Sequence, residues 1–366
     1  MLRSRFVGAV VLAALCGVVA VGCGDDDEGS AAGGGGEGGG EVDMLLSYQE
    51  SIVWAPLLVG REAGYFEDEG LTVSTEETEG SGFVTQQIIA GNKDFGWAAA
   101  DSIVVAASKD PRIRAVTCNQ AQNIFRIVVL EGSDVASVDD LAGKTLGFTE
   151  KGGGEEPLVK SALADAGITD DVKLLPIGAA GPQSKNAIEN GTVDAYASSY
   201  PDISSLTAGG TAFTDITPDK FSATPGDCLV ALDETLKDPA KADLAAKLGR
   251  AWTKGAIFGT ENPEVGLEMS CKIVPDECED PAFAKAFYDD TIALLQPVDS
   301  SLTLGEMDPA GWQTTADVLL ETGSIESEVD VDALIGAPEV KAVQEKMLDF
   351  DAAAVEAEAK EAQPSS

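Results

Sequence analysis

The chain has 366 residues, 44% hydrophobic and 24% charged, a globular composition long enough for two lobes of ordinary domain size. Acids outnumber bases 63 to 24, a formal charge of −39 that argues against a nucleic-acid partner, which needs a basic face. There is no histidine, which excludes Ser-His-Asp and Cys-His nucleophile systems and every His-ligated metal site.

Arg3 and Arg5, the apolar run from Phe6 to Val21 and the small residues before Cys23 predict a secretory signal over residues 1–22. The run is shorter than the ~20 residues a membrane span needs. Ala20-Val21-Gly22-Cys23 resembles the lipobox of bacterial lipoproteins, with Ala20 where Leu is usual. That resemblance implies a lipid anchor on Cys23 and an extracytoplasmic protein held at the cell membrane; a plain secreted protein is the alternative. Residues 23–41, rich in Gly and acids, form a flexible tether that cannot bury apolar area.

Strand–helix alternation then predicts an α/β lobe with a mostly parallel sheet over residues 42–130. Strands are expected at Val42–Tyr48, Leu71–Glu77, Asp94–Ala100, Ile113–Ala121 and Phe125–Leu130, with helices over Trp54–Phe66, Phe83–Ala90 and from Asp101. Alternation restarts at Lys144 and gives a second lobe over 131–215. Its elements are strands at Lys144–Phe148, Val172–Pro176 and Ala195–Ser198 and helices at Glu155–Ala166 and Gln183–Glu189. Ile88-x-x-Gly91-x-x-Asp94 in the first half matches Ile188-x-x-Gly191-x-x-Asp194 in the second, which points to a duplicated architecture. Residues 216–335 return to the first lobe. From Phe221 onwards helices replace strands, with good periodicity over Pro239–Phe258, Pro281–Leu295 and Pro309–Thr322. Residues 336–366 form an acidic helical tail.

Four cysteines lie in the domain beyond the tether: Cys118, Cys228, Cys271 and Cys278. They allow three pairings; a local Cys271–Cys278 loop and a Cys118–Cys228 link between two strands are expected, with buried free thiols as the alternative. No short C-x2-4-C pair exists for a zinc site.

The stretch WAPLLVGREAGYFEDEGLTVS, carrying Pro56, Gly64, Tyr65, Phe66, Glu69, Gly70 and Leu71, resembles the opening of bacterial type II periplasmic binding proteins. The similar subgroup handles nitrate, sulfonates, taurine and thiamine pyrimidine precursors. Ala90-Gly91-x-x-Asp94-Phe95-Gly96, Asp140-Leu141-x-Gly143-Lys144 with Gly147, and Asn190-Gly191-x-x-Asp194-Ala195 extend the likeness, in order, over about residues 43–320. The resemblance implies a two-lobe α/β fold with hinge strands and the solute-binding component of an ABC importer. It implies a small-molecule solute, a membrane permease as partner, no cofactor and a monomer. A pyrimidine synthase shares this fold, but that resemblance implies a catalytic His and a Cys cluster, so an enzyme is not expected.

Candidate solute contacts follow from strand ends and helix starts, where open α/β sheets bind ligands. In the first lobe these are Trp54, which can stack on a flat ring, with Glu50 and Ser51 in the same loop, Gly80 and Ser81 at a helix N-terminus, and Asp101. In the second they are Gly153 and Gly154, Tyr196, Ser199 and Tyr200. Asn119, Gln120 and Asn123 lie near the crossing strand. Glu155-Glu156 after the Gly triplet excludes a phosphate P-loop, which needs Lys-Ser/Thr there. Arg126 and Lys151 are the only bases near these positions, whereas Glu50, Glu79, Asp101, Glu155, Glu156 and Asp202 crowd them. That balance favours a nitrogen heterocycle or an amine-bearing solute, aminosulfonates included. Nitrate- or sulfonate-type anion binding, or solute sensing without transport, are the alternatives.

Overall fold

The computed structural model describes residues 40–364 apart from Glu79, Glu150, Gly152 and Gly153. The signal, Cys23, nearly all of the tether, and the candidate Gly153 lie outside the described residues. Among the described residues, no helix is long and apolar enough to cross a membrane.

Ten strands form two five-stranded mixed sheets. The first contains β1 (Gly40–Leu46), β2 (Leu71–Glu77), β3 (Phe95–Ala99), β4 (Ile113–Cys118) and β10 (Asp227–Leu232) in the order β2-β1-β3-β10-β4. The second contains β5 (Phe125–Leu130), β6 (Thr145–Phe148), β7 (Lys173–Pro176), β8 (Ala195–Ser199) and β9 (Phe213–Asp215) in the order β7-β6-β8-β5-β9. The two orders correspond strand for strand. In each sheet four strands run in one direction, and the fifth, β10 or β5, lies antiparallel to both its neighbours. The duplication read from the Ile-x-x-Gly-x-x-Asp repeat therefore reaches the topology. Gly91 and Gly191 turn with φ of 72° and 66° into β3 and β8, the equivalent strands, a backbone that side chains with a Cβ rarely adopt.

Two expectations need correction. Phe125–Leu130 belongs to the second sheet, paired with β8 and β9, so the lobe boundary falls near residue 119 and not at 130. Strands also do not end at Phe221: β10 sits in the middle of the first sheet, between β3 and β4. Its DCLVAL run is buried at all six positions, so it carries no alternation to read.

Helices cover the sheets. α1 (Ala55–Glu62), α2 (Tyr65–Asp68), α3 (Ser81–Ile89) and α4 (Ala100–Ala107) belong to the first lobe. α5 (Glu156–Asp165), α6 (Pro182–Glu189) and α7 (Tyr200–Ala208) belong to the second, and the short α8 (Asp219–Ser222) lies on the way back. The C-terminal layer comprises α9 (Asp233–Lys237), α10 (Pro239–Glu261), α11 (Pro263–Ile273), α12 (Pro281–Leu295), α13 (Pro309–Glu321), α14 (Val331–Ile335), α15 (Pro338–Met347) and α16 (Ala352–Glu361). α10, α12 and α13 each begin with Pro at the first position after an Asp cap that accepts from backbone N–H groups. The tail is two helices because Asp351 caps a new start.

Glu69, the acid of the GYFEDEGL segment, is held by Arg250 and Lys254 of α10, each at 2.8 Å, and fastens the C-terminal layer to the first lobe. Cys118 is bonded to Cys228, its direct cross-strand partner, and Cys271 to Cys278. The first bond closes 110 residues and the second 7. In a chain-entropy account the long loop contributes about 2 kcal/mol more than the short one. Denaturant unfolding of Cys118→Ala/Cys228→Ala and Cys271→Ala/Cys278→Ala is expected to show the larger loss in the first pair. Equal losses would mean the long link does not restrain the unfolded chain.

Candidate functional site

The chain crosses from the first sheet to the second over residues 119–124 and returns over 216–226, and a cavity of about 610 Å3 opens between the two lobes. On the first lobe its wall is built from one face of α3, one face of α4, Ser47 and Tyr48 after β1, and Asp227 of β10. On the second lobe it is built from Phe125, Gly154, Pro157 and the β8–α7 junction at Ser199 and Tyr200. A smaller recess continues from Asp101 and Phe125 towards Leu158 and Phe221 and is mostly apolar.

Six of the expected contacts line this cavity: Gly80, Ser81, Asp101, Gly154, Ser199 and Tyr200. All stand where a strand feeds a helix or a helix begins. Four others do not line it. Trp54 is fully buried, packed against Trp97 and Trp252 at centroid distances of 6.3 and 6.1 Å, and its neighbour Val53 reaches the wall instead. Ser51 is buried as the cap of a short 3-10 turn, its hydroxyl accepting from the Val53 N–H. Glu50 is engaged by Arg61 and by the Thr75 hydroxyl. Tyr196 lies on the face of β8 opposite Ala195 and Ala197, so strand alternation points it into a core with Ile177, Ile188 and Leu206; its hydroxyl donates to the Gly178 carbonyl at 2.9 Å.

The hinge amides are structural. Asn119 accepts from Trp252 Nε1 at 2.9 Å and donates to the Val53 carbonyl, while Gln120 accepts from the Asp227 N–H. Asn123 caps the start of β5. Arg126 turns away to the Asn123 and Phe125 carbonyls and to Asp215, and Lys151 is not on the wall. Among the acids, Glu155 is buried as an acceptor for Thr149, and Asp202 accepts from Ser198 and from the Ala180 N–H.

Sequence reasoning missed Asp227, Tyr48, Phe125 and Lys109, all on the wall. Asp227 had one weak signal, an acid heading an apolar run. It is 5% exposed and accepts from the Ser47 hydroxyl at 2.8 Å. Its backbone pairs with Ala99, two residues before Asp101, so the β3–β10 register sets both residues on the same stretch of wall. Burial pushes the Asp227 carboxyl up to about 6, against the Ser47 hydrogen bond, and the Asp101 charge adds to the rise. Burial likewise pushes Asp101 up to about 6, although hydrogen bonds with Ser102 oppose it. Tyr200 is raised chiefly by burial, and its hydroxyl lies 3.2 Å from that of Thr291. Tyr48 is raised by burial and by the nearby Asp202 and Glu277 charges.

The wall therefore presents acceptors. The hydroxyls of Ser47 and Ser199 already donate inward, to Asp227 and Asp202, and among the described residues the only lysine or arginine lining the cavity is Lys109. Two carboxyls on one wall with no cation paired to either among the described residues present acceptors to a solute that brings N–H donors.

Residues 51–265, more than half of the chain, match the family model described as NMT1/THI5 like. The chain belongs to the NMT1/THI5-like family. Relatives in this range include a 4-amino-5-hydroxymethyl-2-methylpyrimidine phosphate synthase of Legionella pneumophila, 24% identical over 67% of this chain and 77% of that protein. Another is a formylaminopyrimidine-binding protein of Halalkalibacterium halodurans, 23% identical over 74% and 82%. Among solved structures, the periplasmic aliphatic sulphonate binding protein SsuA from Escherichia coli superposes with a TM-score of 0.62 at 18% identity, covering 80% of this chain and 91% of that one. The fold of this NMT1/THI5-like chain is thus the two-lobe fold of type II periplasmic binding proteins.

The raised carboxyls give a stability prediction with a definite sign. An aspartate that ionises near 4 when unfolded and near 6 when folded binds more protons in the native state between those values. Stability therefore falls as pH rises through that window, and the loss is complete above it. Asp227→Asn is expected to stabilise the ligand-free protein by about 1–2 kcal/mol at pH 7.5, a Tm gain of a few degrees that shrinks towards pH 4. Thermal melts across this range check it; a lower Tm at pH 7.5 would show that the ionised carboxylate supports the fold.

Proposed function

We propose that the protein is the extracytoplasmic solute-binding component of an ABC importer and captures a nitrogen heterocycle or another N–H-bearing solute by closing its lobes on it. The observation that carries this reading is the pair of carboxyls on the cavity wall, Asp227 buried and Asp101 half-buried, with no cation paired to either among the described residues. Amino and ring N–H groups of such a solute match the two carboxyls as donors to acceptors. A solute that touches both lobes stabilises the closed form, and the permease reads that closure. The name of the pyrimidine-binding relative supports the heterocycle.

Binding without catalysis fits the composition. The sequence has no histidine to serve as a base near neutral pH, and the four cysteines beyond the tether are all paired in disulfides. The lipobox-like Ala-Val-Gly-Cys sequence supports tethering at the membrane through Cys23. A cavity wall with two acids offers little to a sulfonate or nitrate, which wants N–H donors or a fork of arginine.

Isothermal titration with 4-aminopyrimidines, simple amines, taurine, alkanesulfonates and nitrate tests the reading. The aminopyrimidines are expected to bind, and Asp227→Asn to weaken them by more than tenfold, since a buried charge-assisted partner is worth about 2 kcal/mol or more. Tight binding of nitrate or an alkanesulfonate, with no response to aminopyrimidines or amines, overturns it.

A further inference from the structure

The cavity is longer than a single ring requires. One face of α4 lines it from end to end: Asp101, Ser102, Val105, Ala106 and, just past the helix, Lys109. Their spacing of i, i+1, i+4, i+5 and i+8 is a continuous helical stripe. Gly82, Thr85, Gln86 and Ile89 form the matching stripe on α3. Eight residues separate Asp101 from Lys109, roughly 12 Å at helical rise. Along that distance the wall changes character, from two carboxyls through the apolar Val105, Ala106 and Ile89 to an exposed ammonium.

Lys109 stands out by its place on the cavity wall. Most cations in the described residues are held by carboxylates, as Arg114, Arg250 and Lys254 are. The Lys109 ammonium has no such partner among the described residues, and its sequence neighbour Asp110 is engaged by Arg112. A cation after a helix C-terminus also suits the helix dipole, which accounts for a lysine there but not for its place on the cavity wall. The cavity volume of about 610 Å3 lies in the range that drug-sized ligands occupy.

Resting on the reading of this cavity as the solute site, we infer that the solute is long and bipolar: an N–H-donor head at Asp101 and Asp227, an apolar middle along α4, and an anionic tail reaching Lys109. The tail chemistry is a carboxylate, phosphate or sulfonate on a flexible arm. One cavity then accommodates both an aminated ring and an acid group, at opposite ends.

The test uses 4-aminopyrimidine, the same ring carrying a terminal carboxylate on arms of one to five methylenes, and the matching primary amides. Titration calorimetry is run on the mature chain, on Lys109→Gln and on Lys109→Glu, at low and high salt. In the parent protein, the longer carboxylate probes are expected to bind about threefold to fivefold tighter than their amide twins at low salt, with the gain fading at high salt. That gain should vanish in Lys109→Gln and reverse in Lys109→Glu, while the bare ring binds all three proteins alike. Acid and amide probes of equal affinity, or a gain that survives Lys109→Gln, overturn the inference while the bare ring's binding preserves the donor-site reading. Failure of every probe, bare ring included, overturns both.

Discussion

The first sheet is completed by a strand that arrives only after the whole second lobe has been built. β10 inserts between β3 and β4, antiparallel to both, and the site depends on that return. The two crossings are held side by side where they enter the first lobe: the Asn119 N–H donates to the Asp227 carbonyl at 2.7 Å, and the Gly226 N–H donates to the Gln120 carbonyl at 3.0 Å. The Cys118–Cys228 bond joins the same pair of strands. Asp227 therefore lies at the root of one crossing, and its register with Ala99 sets it on the same stretch of wall as Asp101. The hinge and the candidate binding carboxyls are one construction.

Much of this was legible in the sequence because local rules act at the right places. A strand ending at a small residue and leading into a helix start exposes backbone N–H groups and side chains at the carboxyl end of the sheet. Gly80, Ser81, Asp101, Gly154, Ser199 and Tyr200 were found by that rule, and all line the cavity. Trp54 and Tyr196 were expected by the same strand-end rule, but that rule does not say which way a ring points. Trp54 stands in a turn where a one-residue shift decides between wall and core, and Val53 took the wall. β10 carried no period of two because both its faces are covered, and without β10 Asp227 could not be placed.

The energetics of the pair follow from where the acids sit. A chain with charge −39 spends most of its carboxylates on the surface, where water stabilises them, or against cations such as Arg250 and Lys254. Asp101 and Asp227 have neither remedy: no cation pairs with either among the described residues, and only short hydrogen-bonding partners soften their burial. Such groups resist ionisation and destabilise the empty protein. On the proposed reading, a ligand that supplies the missing donors recovers that cost, whereas a competitor without N–H groups leaves the carboxyls unsatisfied and binds correspondingly worse.

The two lobes also interlock away from the hinge, and this bears on how closure is limited. Tyr200 starts a helix of the second lobe yet packs in the core of the first, against Phe287 of α12, while Val318 of α13 packs in the core of the second lobe. Ser204 donates to Asp290 at 2.8 Å, a further link from α7 to α12. Any rotation about the crossings that separates the lobes has to withdraw Tyr200 from α12 and break that hydrogen bond. Tyr200 also forms part of the cavity wall, so a solute packed against its ring adds directly to the contacts that oppose withdrawal. Solute occupancy and the α7–α12 contact thus stabilise the same arrangement, and the C-terminal layer, which exists nowhere in the duplicated α/β units themselves, is what couples them.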